Sequence, residues 1–303
     1  MVSRIATSSQ NLASLRNLQD ANRGMALSSY QITTGLKTRT LSEDAGNSYK
    51  LLTLRDVQTR TNTYLSNLGN VDNQLKASEN ALQQMTDVLA EANALATSGR
   101  NENSAETRAS LAPKAQALAE GFYNLLNTQY NGMFLFSGSN ANTATISGNA
   151  APTAFPGEPL DTAWYQGDSQ LSTTVNGAGT TLEFGVLGNS DAFSKLKAGL
   201  EGLWYGLENN NVTEIDTAIA TLNSAKSLLS TTVSNVGGQM NNVAQFTERY
   251  TNQQAFIQES VDTIEKVDVS EALTTFSQQS STLQASMMII SQISQITLMD
   301  YIR

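Results

Sequence analysis

IDTAIATLNSAKSLLSTTVSNVGGQMNNVAQFTERYTNQQAFIQESVDTI, residues 215–264, decides the fold. Read in alternating steps of 4 and 3, it lines up Ile215, Ile219, Leu222, Lys226, Leu229, Val233, Val236, Met240, Val243, Thr247, Tyr250, Gln254, Ile257, Val261 and Ile264. A mean spacing of about 3.5 residues is the period of a coiled-coil helix, and a strand alternates every second residue instead. The row passes through Gly237-Gly238. That pair either admits a close helix approach or is a tolerated weak point. A helix of this length cannot bury one apolar row alone, so the chain must supply a partner.

The partner lies upstream. Leu54, Gln58, Thr61, Leu65, Leu68, Asp72, Leu75, Glu79, Leu82, Thr86 and Leu89 repeat the same step. Ser42 is read as the N-cap of this helix, with Glu43 and Asp44 in its first turn, where the helix dipole favours anions. Ser98-Gly99 ends it. Before it, Leu15, Leu18, Asn22, Met25, Ser29, Ile32 and Leu36 form an N-terminal row that breaks at Gly35 and TRTLSED. A third helix is predicted over 104–130, striped by Leu111, Ala115, Leu118, Phe122 and Leu125, with Pro113 either kinking it or marking its true start. Helices resume at Asp191, where Phe193, Leu196, Leu200, Leu203 and Leu207 make one stripe. TEID at 213–216 has capping-box spacing, and VDVSEA breaks the chain near Asp268 before a last helix.

The middle differs. Residues 132–188 hold nine of the 20 glycines, three of the four prolines (Pro152, Pro156, Pro159) and only four charges. TTVNGAGTTLEFGV alternates as short strands do, with Asn176-Gly177 as the expected turn. The expected fold is mainly α: a long antiparallel coiled-coil helical hairpin formed by the N- and C-terminal arms, with a small β-rich insert domain at the tip. The corresponding division is 1–40 plus 270–303 as a terminal assembly domain, 41–132 plus 190–269 as a helical rod, and 133–189 as the insert.

Composition narrows function. The 303 residues include no Cys and no His, and the net charge is −9. That removes disulfides, thiolate metal sites, the commonest general base and the commonest zinc ligand. No Lys or Arg occurs between Lys114 and Lys195, and the acidic balance argues against a phosphate-backbone binder. The start, MVSRIATSSQNLASL, lacks the apolar core of a cleaved leader, and no apolar run is long enough to span a bilayer. No catalytic constellation, cofactor motif or metal-ligand cluster is visible, so the chain is expected not to be an enzyme and to need no cofactor.

The C-terminal stretch LQASMMIISQISQITLMDYIR carries the functional signal. Leu283, Met287, Ile290, Ser294, Thr297 and Tyr301 form one row, and Ile289, Ile293 and Ile296 a second beside it. The N-terminal helix can cover part of this face with Leu15, Leu18, Met25 and Ile32. Burying three or four further large side chains contributes on the order of 6–10 kcal/mol before ordering costs. The expected assembly interface is therefore Leu15, Leu18, Met25, Ile32, Leu283, Met287, Ile290, Ile293, Ile296 and Tyr301, contacting other chains.

TGLKTRTLSEDAGNSYKLLTLR (34–55), NVGGQMNNV (235–243) and the stretch from Asp268 to Arg303 resemble the flagellin superfamily, over about 250 residues in both arms. Within it, NGMFLFSGS (131–139) is similar to the aromatic-Leu-Phe-Ser-Gly motif of the hook–filament junction family, the hook-associated protein 3 type. WYQGDSQ (164–170) is similar to that family's Tyr-x-Gly-Asp motif. The matching residues are Phe134, Leu135, Phe136, Ser137, Gly138, Tyr165, Gly167 and Asp168. TLSEDAG, without prolines, is closer to filament flagellin. The resemblance implies an axial protein of the bacterial flagellum, exported unfolded by the type III apparatus without a cleaved signal and assembled outside the cell. It implies a homo-oligomeric ring between hook and filament. The partners would be a hook-side junction protein, flagellin and an export chaperone, with no nucleic acid and no membrane insertion. Filament flagellin is the alternative, and outside the family a coiled-coil adhesin or secretion component.

Several residues admit a sharper reading beside an ordinary one. Glu43 and Asp44 are adjacent on a helix and do not face each other, so a helix start explains them better than acid catalysis. Trp164, Tyr165 and Asp168 either stack against a sugar or build a small core and a turn around Gly167. Met287-Met288 is either an adaptable binding face or ordinary helix packing. Asn22, Ser29 and Asp72 either set register or mark a solvated seam.

Overall fold

A computed structural model describes residues 2–146 and 164–301, with side chains over 12–146 and 164–292. Pro152, Pro156 and Pro159, and the side chains of Ile293, Ile296 and Tyr301, lie outside the described residues. The elements are α1 (Val2–Thr34), a 3-10 turn (Leu41–Asp44), α2 (Ala45–Asn101), α3 (Ala105–Ser110), α4 (Ala112–Leu126), β1 (Gln129–Tyr130), β2 (Met133–Phe134), β3 (Ser172–Gly177), β4 (Thr180–Phe184), α5 (Asp191–Glu208), α6 (Val212–Glu265) and α7 (Val269–Tyr301). The chain is mainly α, with two-stranded sheets in its middle. It forms two compact units, Met1–Arg60 with Gln253–Arg303, and Thr61–Asn252.

In the terminal unit α1 and α7 pack along each other. They run antiparallel: the Cβ position of Gly24 falls 3.0 Å from Cδ of Gln279, while Leu36 bridges to Lys266. Gly35 stops α1 with φ +73° and donates to the Gln31 carbonyl at 2.8 Å, a left-handed C-terminal cap. The next residues pair with the α6–α7 connection, Lys37 N–H to Glu265 O at 2.7 Å and Val267 N–H to Gly35 O at 2.9 Å. Ser42 is not the cap of α2: it lies inside the 3-10 turn, and Asp44 Oδ1 accepts from Asn47 N–H at 3.2 Å instead. Asp268 caps α7 by accepting from Ser270 N–H at 2.8 Å. Leu51, Ile257 and Val261 form a small core in this unit, flanked by Leu54, Val57 and Ile264.

The second unit holds the main core. On α2 its buried line is Leu68, Val71, Leu75, Ser78, Leu82, Met85, Leu89, Ala92 and Ala96. The expected row has the right seven-residue column (68, 75, 82, 89) but, beyond Leu65, the wrong companions. Glu79 is exposed, and Asp72 and Thr86 are only partly covered. A heptad column leaves a second column free at either +3 or +4. An unpaired charge in the core costs several kcal/mol, so the +3 column, free of Asp72 and Glu79, is the one that packs. On α6 the same shift puts Ala218 and Ala225 inward and leaves Lys226 exposed. Gly237 and Gly238 have open space beside them, so no close helix approach is made there.

Pro113 marks a true start. Ser104 caps α3 by accepting from Thr107 N–H, and α4 begins afresh at Ala112 with Pro113 in its first turn. The α5 stripe is fully buried as expected. α6 is capped by Asn211, whose Oδ1 accepts from Glu214 N–H at 3.2 Å, and not by Thr213. Phe122, Phe136 and Phe193 meet in the core, with ring centroids 6.4 Å (Phe122–Phe193) and 5.3 Å (Phe136–Phe193) apart. The expected turn at Asn176-Gly177 is displaced: those residues end β3, and the chain turns at Ala178-Gly179. Another Asn-Gly pair, Asn131-Gly132, turns the β1–β2 hairpin with φ +50° and +78°.

Candidate functional site

The α1–α7 pair buries a narrow strip. On α1 the buried residues are Ala21 and Ser28, with Leu18, Met25 and Ile32 half-buried beside them. On α7 Ala272 is buried, and Phe276, Gln279, Leu283, Ser286 and Ile290 are half-buried. Small residues in the strip let the two backbones approach, which leaves large side chains on the flanks. Leu15, Asn22 and Ser29 are exposed, which corrects their place in the N-terminal row. Of the expected interface, Leu18, Met25, Ile32, Leu283 and Ile290 pack between the two helices, at least in part. Leu15 and Met287 stand in solvent, 51% and 53% exposed.

The exposed apolar surface is wider than the sequence pattern indicates. Leu12, Leu27, Tyr49, Leu52, Phe256, Leu273, Met288 and Ile289 join Leu15 and Met287 as exposed large hydrophobic residues, all within the terminal unit. In the second unit the exposed large hydrophobic residues are Met133, Val175 and Val212. Tyr49, Leu52 and Phe256 were invisible to the heptad count because they lie off the rows. Their signal is an apolar residue where a packed seam leaves no neighbour.

The two motif stretches of the middle come together in the second unit. Ser137 and Gly138 run between the arms of the Tyr165–Asp168 loop. Asp168 N–H donates to Ser137 O at 3.1 Å, and Ser139 N–H to Gln170 O at 2.8 Å. The Asp168 carboxylate accepts from Ser139 N–H at 2.9 Å, from the Ser139 hydroxyl and from Gln170 N–H at 3.1 Å. The Ser139 hydroxyl is the largest of the contacts that hold this carboxyl below the usual carboxylate range. The Tyr165 phenol reaches the carbonyls of Asp168 and Phe136, at 2.7 and 3.2 Å. Burial, and then the charge of Asp168, push it up to about 12.

The motif glycines are steric. A Cβ on Gly138 would sit 2.3 Å from Asp168 Oδ1, and one on Gly167 would sit 2.5 Å from Ser137 O. Gly138 also has φ +72°. Leu135, Phe136 and Ser137 are buried, and Phe134 is half-buried. Tyr165 and Asp168 are thus committed to a loop-locking network, with Trp164 edge-on to Tyr165 at 6.1 Å. The arrangement holds a loop in shape and offers no reacting pair. Nothing in the sequence marks Ser139 as the main partner of Asp168, because the two are 29 positions apart.

Among the described residues no cluster of three or more His, Cys, Asp or Glu could hold a metal ion, and no helix is long and apolar enough to cross a membrane. A search of curated proteins finds no match. Solved structures of similar fold include a putative flagellar hook-associated protein from Vibrio parahaemolyticus, with TM-score 0.61 and 19% identity over 73% of this chain and 99% of that one. FlgL from Bacillus cereus gives TM-score 0.57 and 16% identity over 69% and 99% of the two chains. Flagellar hook-associated protein 3 from Legionella pneumophila gives 0.56 and 13% over 70% and 98%. At these identities the likeness is one of fold. Two family models match the sequence directly: the bacterial flagellin N-terminal helical region over residues 5–141, and the bacterial flagellin C-terminal helical region over residues 212–302. With both regions present, in order and on either side of one middle segment, the chain belongs to the flagellin family.

Proposed function

We propose that this chain is a structural subunit of the flagellar axis that joins hook to filament as a ring of identical copies. The observation that carries the reading is the apolar surface of the terminal unit, where Leu12, Leu15, Tyr49, Phe256, Met287, Met288 and Ile289 stand exposed in a family built to assemble. Many large apolar side chains held exposed on one unit mark it as a place where other chains bind. Residues 1–40 and 270–303 serve as the assembly part. The locked Ser137–Asp168 loop and the likeness in fold to hook-associated proteins favour the junction over the filament. The role is structural, with export through the type III apparatus under a chaperone, assembly outside the cell, and contacts to a hook-side junction protein and to flagellin.

A second reading, filament flagellin, is favoured by TLSEDAG at 40–46, which lacks the prolines of the junction pattern. Seeded polymerisation followed by electron microscopy separates the two. A junction subunit stays unpolymerised alone, binds hook ends and lets flagellin grow from them. Long filaments growing from the protein's own seeds overturn the junction reading.

A further inference from the structure

A cavity of about 340 Å³ lies in the terminal unit beside the α1–α2 connection. Leu36, Leu41, Leu51 and Ile264 give it apolar walls, and Arg39, Asp44, Arg55 and Glu265 bring charge to it. Arg55 is paired with Glu265, and Asp44 accepts from Asn47. Arg39 has no carboxylate partner among the described residues; its guanidinium lies 5.5 Å from the Tyr30 ring centroid. The nearest acid in sequence, Glu43, accepts from the backbone N–H of Arg39 at 2.8 Å.

The same unit holds an exposed ring elsewhere. Phe256 of α6 is 68% exposed, an apolar ring held in water. Glu259, three residues on and so on the same helix face, is exposed and has no ion-pair partner among the described residues. A cavity of mixed lining, with a guanidinium that has no carboxylate at its edge, therefore faces no occupant among the described residues of its own chain, while a phenyl ring stands in solvent with an unpaired carboxylate beside it.

We propose that Phe256 of one copy enters the cavity of the next, and that Glu259 of the first copy pairs with Arg39 of the second. Repeated head to tail from copy to copy, the contact is heterologous and closes into a ring or winds into a helix. Charge complementarity fixes which copy docks on which, and the desolvated ring supplies the burial. This inference rests on the reading of the chain as an axial subunit and names one of its contacts.

The protein has no Cys, so introduced thiols report without background. One full-length chain carries Arg39→Cys and a second, with a different tag, carries Glu259→Cys; both are expressed together and isolated flagella are treated with a bis-maleimide long enough to span an Arg–Glu pair, whose Cα atoms lie too far apart for a direct disulfide. The expected result is a mixed cross-linked dimer, in excess over dimers of either variant with itself. Entry of both chains into flagella without the mixed cross-link overturns the contact and leaves the axial reading standing. Failure of the unsubstituted chain to enter flagella overturns both. In a second measurement, Phe256→Ala lowers incorporation about tenfold or more, the scale of one lost anchor residue. Arg39→Glu and Glu259→Arg each lower it, and the two together restore it. No restoration by the double swap overturns the ion pair.

Discussion

The Tyr123 phenol donates to Oε1 of Glu201 at 2.5 Å, and Lys197 Nζ holds the same carboxylate at 2.7 and 2.8 Å. Tyr123 is buried and Glu201 is 6% exposed, so α4 and α5 share a closed network inside the second unit. Burial first, and then the Glu201 carboxylate, push the phenol above its ordinary range. In the unfolded chain the phenol ionises near ~10. Above that pH the unfolded state loses the proton while the folded state keeps it, so stability falls as pH rises, by up to about 1.4 kcal/mol per pH unit per group. The urea midpoint is expected to drop between pH 9 and pH 11. Tyr123→Phe should make that drop shallower, at a cost of about 1–3 kcal/mol at pH 7 for leaving the buried carboxylate short of one donor.

Acid tests the motif loop. The Asp168 carboxyl sits below its ordinary range because Ser139 and the backbone N–H groups of Ser139 and Gln170 bind its charged form. Its contribution is present above the unfolded value near ~4 and is lost as pH falls through the lower folded value. Thermal midpoints measured from pH 7 to pH 2.5 should fall in the acid limb, and Asp168→Asn should start lower and fall less. An unchanged midpoint for Asp168→Asn at pH 7 would show that the loop does not depend on this carboxylate.

Two glycine sites on long helices should respond with opposite sign. A Cβ on Gly199 of α5 would lie 2.7 Å from both Cγ and Cδ2 of Leu222, which is fully buried and cannot yield. Gly199→Ala is expected to destabilise by about 1–3 kcal/mol. Nothing lies within 4 Å of a Cβ on Gly237 or Gly238 of α6. Alanine at each should stabilise by about 0.5–1 kcal/mol, because glycine inside a helix loses more chain entropy. Chemical denaturation of the purified protein reads both.

The terminal surface separates folding from assembly. Met287 and Met288 are 53% and 65% exposed, so Met287→Asp with Met288→Asp should change monomer stability by no more than about 0.5 kcal/mol per site. Incorporation into flagella should be abolished. Deletion of 283–303 should likewise leave the 61–252 unit folded, read by its cooperative melt, and stop incorporation. Normal incorporation of either variant would show that this surface is not the one that assembles.

Much of this was legible in the sequence. The heptad column of α6, the stop at Gly35, the break at Asp268 and the buried α5 stripe all follow from local rules of period, capping and backbone freedom, and Pro113 narrowed the third helix to a kink or a restart. So did the division into helical arms around a glycine-rich middle. These features depend on residues within one or two turns of each other, and the sequence alone fixes such neighbours.

What only tertiary structure decided was the side of each column that packs. In α1, in α2 and at the start of α6 the sequence suited +4 companions such as Leu15, Asp72 and Lys226, whereas the folded chain buries the +3 companions Ala21, Val71 and Ala225; further along α6 the expected Val233, Met240 and Val261 do pack. The helix period permits both, and the choice depends on what faces each helix and on the cost of burying charge. The meeting of Ser139 with Asp168 was hidden too: a contact between residues 29 positions apart leaves no periodic trace. Sequence period set the helices, and the packing partner set which of their faces stay exposed.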